Sequence, residues 1–161
     1  MRYTRGMNLV SLGISILLAL GAGALGSIFT FSEIPGWYAT LVKPAIAPPN
    51  WIFGPVWTTL YVLMGTAAWL VWQKGWDTPG VKYTLALYAL QLILNALWSV
   101  LFFGMHALGL AFFELVALWL SIAGTMYLFY ALSPIAAALL IPYLAWVSFA
   151  GYLNYLLWSL N

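Results

Sequence analysis

The chain has 161 residues, of which 65% are apolar and only 5% are charged. A soluble domain carries about 25% charged residues, so this composition excludes a water-soluble globular protein. The net charge of +2 is small and its basic residues are scattered, which argues against a nucleic-acid partner. Cysteine is absent, which excludes disulfides, thiolate metal sites and a cysteine nucleophile.

Five apolar stretches are each long enough to form a helix across a bilayer, which takes about 20 residues for roughly 30 Å of hydrocarbon. The sequence therefore predicts an all-α, multi-pass integral membrane protein whose single domain, residues 1–161, is a bundle of five transmembrane helices. The predicted helices cover residues 7–31, 51–72, 81–103, 108–132 and 133–159, and a long loop, residues 32–50, joins the first two.

The first predicted helix carries small residues at four-residue spacing: Ser15, Ala19, Gly23 and Ser27. Such a stripe allows a neighbouring helix to approach closely. The hydrophobic region of a signal peptide usually has 7–15 residues, and this apolar stretch is longer. We therefore interpret it as a retained transmembrane helix.

Basic residues are distributed unequally between the two sides that five helices define. Arg2, Arg5, Lys74 and Lys82 are expected on the side of the N-terminus, and Lys43 on the opposite side. Because cytoplasmic loops are enriched in Lys and Arg, the N-terminus is predicted to face the cytoplasm. The sequence does not indicate which membrane holds the protein.

The loop of residues 32–50 is rich in proline in its second half, with Pro44, Pro48 and Pro49. Proline lacks a backbone donor and disfavours helix at the preceding residue, so this half is predicted to be extended and stiff. Trp37 and Tyr38 leave two interpretations open. The loop is either a lid over a cavity or a segment anchored at the membrane surface by its aromatic rings.

Three of the predicted helices carry stripes of aromatic rings interrupted by a few polar or small residues. Apolar walls with sparse polar groups are typical of a ligand pocket, but the same spacing is typical of ordinary helix packing, with asparagine as an interhelical link. Proline at position 142 is expected to kink the fifth helix. The stripes are Phe53, Trp57 and Tyr61; Asn95, Trp98, Ser99 and Phe102; and Tyr143, Trp146, Ala150 and Asn154.

Two ionisable residues are candidates for chemistry. Glu114 is the only acidic residue predicted within a transmembrane helix, and such a group indicates function by default. The alternative is a structural carboxyl group that is hydrogen-bonded to neighbouring helices. His106, the sole histidine, is predicted in a turn with no acidic partner. A serine-hydrolase triad and a metal site are therefore not expected, and no conventional enzymatic activity is predicted.

Three segments in order resemble the TspO/MBR family, which includes the tryptophan-rich sensory proteins and the translocator protein, or peripheral-type benzodiazepine receptor. The first segment resembles the loop and second helix of that family, the next its third helix, and the last its fifth helix. They are Trp37-Tyr38 through Lys43-Pro44 and Pro48-Pro49 to Phe53-Gly54-Pro55-Val56-Trp57; Asn95-Ala96-Leu97-Trp98-Ser99; and Pro142-Tyr143-Leu144-Ala145-Trp146.

The resemblance implies a five-helix homodimer that binds a tetrapyrrole, porphyrin or haem, as a ligand rather than as an obligatory cofactor. It implies a role in porphyrin transport, stress sensing or light-dependent porphyrin breakdown, with Trp57 and Trp146 as the candidates for photochemistry. Some members of the family bind sterols and synthetic isoquinoline or benzodiazepine drugs. The alternative function is a sterol- or lipid-binding protein or a proton-coupled carrier of small molecules. The candidate ligand-binding residues are Tyr38, Trp57, Tyr61, Asn95, Trp98, Tyr143, Trp146 and Ala150.

The chain departs from the family pattern in two places. Ile46 replaces the tryptophan of the family's loop motif, which predicts weaker contact between the loop and a ligand. The sterol motif of the animal members ends in a basic residue, but here no Lys or Arg follows Trp158. Sterol binding at that weak motif is therefore in doubt.

Overall fold

The computed structural model describes residues 9–161. The predicted start of the first helix at residue 7 and the side assigned to Arg2 and Arg5 lie outside the described residues. Five stretches within the described range are long and apolar enough to cross a membrane: Leu9–Thr30, Asn50–Trp72, Val81–Gly104, Leu108–Leu132 and Pro134–Leu160. The prediction of an all-α, multi-pass membrane protein is therefore confirmed.

The helices are numbered here in chain order. A short 3₁₀ turn, Asn50–Ile52, leads into the second span, and a π-helical turn, Val100–Gly104, extends the third. The helices are α1 (Leu9–Thr30), α2 (Trp37–Thr40), α3 (Phe53–Trp72), α4 (Val81–Ser99), α5 (Leu108–Leu132), α6 (Pro134–Leu139) and α7 (Ile141–Leu160). The loop of residues 32–50 thus contains one turn of helix, α2, that the sequence did not predict.

The fifth span consists of two helices rather than the single helix predicted for residues 133–159. The Ser133 hydroxyl accepts a hydrogen bond from the backbone N–H of Ala136 at 3.3 Å and caps α6. The span is interrupted at Leu140, immediately before Ile141 and Pro142 open α7. Because the proline ring removes an intrahelical hydrogen bond, the expected kink becomes a break between α6 and α7.

The bundle closes in the order α3, α1, α4, α5, α7. Helix α1 packs against both α3 and α4, α4 against α5, and α5 against α7. The short helix α6 fills the space between α5 and α3, whereas α7 meets α3 at only a few points. The bundle therefore has one weakly packed seam, between α3 and α7.

The small residues of α1 allow the predicted close approach. The Ser15 hydroxyl donates to the carbonyl oxygen of Gly65 on α3 at 2.7 Å. A methyl group at position 65 would lie 2.5 Å from the Cα atom of Ile16, so only glycine fits this crossing. Further along α1, Gly23 packs directly on the ring of Tyr61. Residues with small side chains therefore allow the short distance between α1 and α3.

Candidate functional site

A cavity of about 510 Å³ lies between α1, α3, α4, α5 and α7, under the loop of residues 32–50. It is not closed, because exposed residues of α1 and α3, among them Ala24 and Thr58, line it. Its volume falls within the range of roughly 300–1,000 Å³ that is typical of small-molecule sites. Aromatic side chains form most of its walls, and few polar groups reach it. The aromatic and polar lining residues include Tyr38, Phe53, Trp57, Tyr61, Asn95, Trp98, Phe102, Trp146 and Asn154.

The aromatic walls are built from pairs of rings in contact. On α3, Trp57 stacks on Tyr61 with the ring centroids 5.6 Å apart. Across the cavity, Trp98 stacks on Phe102 at 4.8 Å. Rings in offset or edge contact gain about 0.5–1.5 kcal/mol beyond their buried area, so these walls present flat, preorganised surfaces.

A chain of hydrogen bonds links α3, α4 and α7 behind the cavity wall. The Tyr61 hydroxyl donates to Asn95 Oδ1 at 2.5 Å, and Asn95 Nδ2 donates to the Tyr143 hydroxyl at 3.0 Å. The Tyr143 hydroxyl in turn donates to Gln91 Oε1 at 2.7 Å. Each of these polar side chains forms a hydrogen bond with the next one, so none is left without a partner in the apolar environment. Asn95 and Tyr61 present the polar part of this chain to the cavity.

A second polar link lies at the other end of the same wall. The indole N–H of Trp98 donates to Asn154 Oδ1 at 3.1 Å, and Asn154 Nδ2 donates to the carbonyl oxygen of Leu108 at 2.8 Å. This link joins α4, α7 and the start of α5. It fixes the plane of the Trp98 ring against the cavity.

The loop of residues 32–50 covers part of the cavity, because Ile34 and Tyr38 line it, and this loop is called the lid below. Tyr38 is 4% exposed, and burial raises the pKa of its phenol above the ordinary value, so the hydroxyl stays neutral. The Nζ atom of Lys43 lies 4.7 Å from the centre of the Tyr38 ring. Ile46, which replaces the tryptophan of the family motif, is 44% exposed and does not line the cavity.

Two clasps hold this lid to the bundle. At the first clasp, His106 Nε2 lies 3.0 Å from Glu33 Oε2, and its ring stacks on Trp37 with centroids 4.1 Å apart. At the second clasp, the side chain of Asn161 bonds both backbone groups of Val42, at 2.9 and 3.1 Å. The expectation that His106 lacks an acidic partner is therefore wrong.

Most residues predicted from the sequence to bind a ligand line the cavity together. They are Tyr38, Trp57, Tyr61, Asn95, Trp98, Trp146 and Ala150. Tyr143 differs, since its side chain is fully buried behind Asn95 and does not line the cavity. The Tyr143 hydroxyl accepts a hydrogen bond from Asn95 Nδ2 and so restricts the orientation of the Asn95 amide.

Sequence reasoning missed Gln91, which is 1% exposed and ends the buried hydrogen-bond chain. Its position one helical turn before Asn95 was the available signal, because residues at i and i+4 share a helix face. It also missed the contribution of α1, where Gly23, Ala24 and Ser27 line the cavity. A stripe of small residues predicts a contact surface between helices and does not by itself indicate that the same residues leave space for a ligand.

Glu114 faces the bundle interior, as predicted, but it does not line the cavity. Neither of its carboxyl oxygens has a hydrogen-bond partner among residues 9–161. The interpretation of a carboxyl group hydrogen-bonded to neighbouring helices is therefore wrong. No group of three His, Asp or Glu side chains in that range is close enough to hold a metal ion.

Comparison with known proteins identifies the family of this chain. Residues 15–159 match the model of the TspO/MBR family. The chain belongs to the TspO/MBR family. It is 44% identical to the tryptophan-rich protein TspO of Chlorobaculum tepidum, over 96% of this chain and 98% of the relative. It is also 43% identical to the translocator protein of Bos taurus, over 94% of this chain and 89% of the relative.

A third TspO/MBR relative carries a name that refers to sensing. This is the tryptophan-rich sensory protein of Cereibacter sphaeroides, 40% identical over 94% of this chain and 92% of the relative. Family membership and the five candidate spans together establish a multi-pass integral membrane protein of the translocator and tryptophan-rich sensory type.

Proposed function

We propose that this protein binds a tetrapyrrole, porphyrin or haem, in the cavity beneath the lid and acts in its transport or in stress sensing. The observation that carries the proposal is the convergence of Trp57, Trp98 and Trp146 on one hollow within the bilayer. Flat indole walls suit a large planar ring, because stacked rings gain contact area and quadrupole attraction together. Asn95 supplies a polar group that orients the ligand.

Fluorescence of the purified protein in detergent tests this proposal. Protoporphyrin is expected to quench tryptophan emission, and Trp146→Ala or Trp57→Ala is expected to weaken binding about tenfold, the equivalent of ~1.4 kcal/mol. Trp76→Ala is the matched control, because Trp76 is 50% exposed and lies outside the cavity. Equal affinities for all three variants would contradict binding in this cavity.

Light-dependent breakdown of the bound porphyrin is the second candidate function. The observation that favours it is that two indoles, Trp57 and Trp146, line the same cavity and would both contact an excited ring. The chemistry would be that of the photoexcited ligand, with dissolved dioxygen as the oxidant that opens the ring and the protein supplying orientation. Under illumination, porphyrin absorbance should fall faster with the wild-type protein than with Trp57→Phe or Trp146→Phe. Bleaching at the rate of free porphyrin would exclude this activity.

A proton-coupled carrier is the weaker alternative, because Glu114 does not line the cavity. Direct coupling of proton transfer at Glu114 to ligand movement would require contact between the carboxyl group and the ligand. Glu114→Gln should therefore leave protoporphyrin affinity unchanged in the fluorescence titration. A large loss of affinity in a folded Glu114→Gln protein would favour the carrier.

A further inference from the structure

The first clasp of the lid contains the sole histidine of the chain, whose ring meets both a carboxylate and an indole. His106 Nε2 lies 3.0 Å from Glu33 Oε2, and the imidazole is parallel to the Trp37 ring within 10°. The His106 side chain is 42% exposed, so it exchanges protons with the surrounding water. Histidine is the side chain whose charge ordinarily changes between about pH 5 and 8. The clasp is therefore placed where it can respond to pH.

The backbone of His106 is held in an unusual conformation. Its φ of 54° makes it the one residue other than glycine with a positive φ within residues 9–161. That left-handed region is unfavourable for a residue with a Cβ atom. Hydrogen bonds on both sides maintain it, from the N–H of Met105 to the carbonyl oxygen of Val100 at 2.9 Å and from the N–H of Ala107 to that of Leu101 at 3.0 Å. The turn therefore keeps the imidazole ring at the lid.

The first clasp is connected to the cavity by direct contacts. The backbone carbonyl oxygen of Glu33 accepts a hydrogen bond from the N–H of Tyr38 at 2.9 Å, and Tyr38 lines the cavity. Trp37 meets Phe102 edge-on with ring centroids 5.7 Å apart, and Phe102 also lines the cavity. A change at His106 therefore reaches two walls of the cavity.

Protonation of His106 strengthens both of its contacts with the lid. A charged imidazole makes a charge-assisted hydrogen bond to the Glu33 carboxylate. It also adds a cation–π attraction to its stack on Trp37. Both interactions exist only while the lid is closed. By linkage, protonation therefore favours the closed lid, and this contribution is lost as the pH rises.

The other charged groups around the lid do not offer the same response. The Glu33–His106 contact is the only ion pair within the described residues, and the lid's Lys43 lies over the ring of Tyr38. Helix α1 and the π-helical turn carry no titratable side chain, and the first on α5 is Glu114, roughly 9 Å along the helix from its start. Glutamate is ionised above about pH 5. The response between pH 5 and 8 is therefore expected from His106.

We propose that the first clasp is a pH-sensitive hold on the lid, in which protonated His106 fastens Glu33 and Trp37 and so keeps Ile34 and Tyr38 against a bound ligand. The cavity stays open between α1 and α3 in both states, so the clasp sets the strength of the lid's contacts and not entry to the cavity. The hold itself is a property of the chain, whereas its effect on a ligand rests on the proposed function.

Hydrogen exchange of the ligand-free protein in detergent tests the hold. Exchange is measured at about pH 5.5 and about pH 8, and each rate is divided by the intrinsic rate at the same pH to give a protection factor. The amides of Tyr38 and Ala39 report on the lid, because both are hydrogen-bonded within it. Their protection is expected to be about three- to tenfold higher at the lower pH. Unchanged protection in residues 64–71 shows that the bundle stays folded.

Three variants assign this ratio to the first clasp. His106→Gln keeps a hydrogen-bond donor but cannot become charged, and His106→Arg is planar and charged at both pH values, so both ratios should fall below about threefold. Asn161→Ala is the matched control, because it opens the second clasp without removing a titratable side chain, and it should keep the wild-type ratio. Should His106→Gln not fold, Glu33→Gln takes its place.

The hydrogen-exchange result decides the proposal in either direction. A wild-type ratio below about threefold overturns it. A ratio above that limit in His106→Gln or His106→Arg overturns it too, as does loss of the ratio in Asn161→Ala.

A titration with protoporphyrin tests the effect of the clasp on a ligand. It is made in the Asn161→Ala background, where the second clasp no longer holds the lid, with and without His106→Gln. At about pH 5.5, His106 should raise the affinity at least about twofold over Gln, and at about pH 8 the two proteins should agree, because affinity scales with the fraction of closed lid. Comparison at the same pH cancels the titration of the porphyrin.

The outcomes separate this proposal from the proposed function. Equal affinities at both pH values, with quenching present, overturn the action of the clasp on the ligand. Absence of quenching in the unmodified protein refutes the proposed function instead, and hydrogen exchange alone then decides whether the clasp responds to pH.

Discussion

The two halves of α3 show opposite ways of meeting neighbouring helices. In the half away from the lid, Met64, Ala67 and Val71 are fully buried, and Gly65 lies against the backbone of α1. In the half beneath the lid, Phe53 and Trp57 face the cavity. One helix therefore supports a close-packed core and a hollow.

Side-chain size explains this difference. Without a hydrophobic driving force between helices in lipid, association depends on close van der Waals contact, which small residues permit. Large rings in contact with one another hold the backbones apart, because each ring pair spans several ångströms. The cavity therefore forms where aromatic rings replace small residues along α3. Variants in the two halves of α3 test this explanation.

The largest effect is expected in the close-packed half, from Gly65→Ala. The new methyl group would lie 2.5 Å from Ile16 Cα and 2.9 Å from the Ser15 carbonyl oxygen. Backbone atoms cannot yield as a side chain does, so a loss of about 1–3 kcal/mol of stability or more is expected. Thermal unfolding in detergent measures it.

Gly13→Ala is the matched control for this variant, because nothing lies within 4 Å of a methyl group at position 13. It should be neutral or should stabilise α1 by up to about 1 kcal/mol. If both variants have the same unfolding temperature, the close crossing of α1 and α3 is not what holds this half together.

An intermediate effect is expected at the junction of the two halves, from Gln91→Leu. Gln91 accepts from the Tyr143 hydroxyl and contacts the sulfur atom of Met64 through its amide at 3.8 Å. Loss of the acceptor leaves a buried hydroxyl unpaired, at a cost of about 1–3 kcal/mol. A double-mutant cycle with Tyr143→Phe should give a coupling of about 0.6 and at most ~1.7 kcal/mol.

Thr66→Val serves as the control for this cycle. The Thr66 hydroxyl bonds only to the carbonyl oxygen of Val62 in its own helix, at 2.8 Å, so the change should stay within about 0.5 kcal/mol. Additivity of Gln91→Leu and Tyr143→Phe would argue against a connected hydrogen-bond chain behind Asn95.

The smallest effect is expected at the lid above the hollow half, from His106→Ala and Asn161→Ala. The Glu33–His106 pair is partly exposed, and such pairs contribute about 1 kcal/mol or less. Hydrogen exchange should therefore rise near residue 37 in the first variant and near Val42 in the second. An equal rise across the whole lid in both variants would mean that the two clasps do not act separately.

The spans and the close-packed half could be predicted because they depend on patterns local in sequence. Runs of about 20 apolar residues mark spans. The stripe from Ser15 to Ser27 indicated a helix contact. Ser133 marked the start of the fifth span, whereas Pro142 predicted only a kink where the structure has a break. Helical periodicity also placed Trp57, Asn95 and Trp146 on aromatic stripes, and all three residues line the cavity.

The remaining features depend on contacts between residues distant in sequence. Glu33 and His106 are 73 residues apart, so their pairing follows from the position of the lid on the α4–α5 turn. Residues on one helical stripe share a broad face, so they do not all reach the same space. Tyr143 is on the stripe of α7 but lies behind Asn95 and does not line the cavity. The opening of the cavity between α1 and α3 depends on how far the two helices separate, which neither sequence segment specifies alone.

A structure determined with protoporphyrin bound tests the central claim most directly. The account predicts a porphyrin ring between the indoles of Trp57 and Trp146, beneath Tyr38 and beside Asn95. A porphyrin bound only on the outer surface of the bundle, with this cavity unfilled, would contradict it.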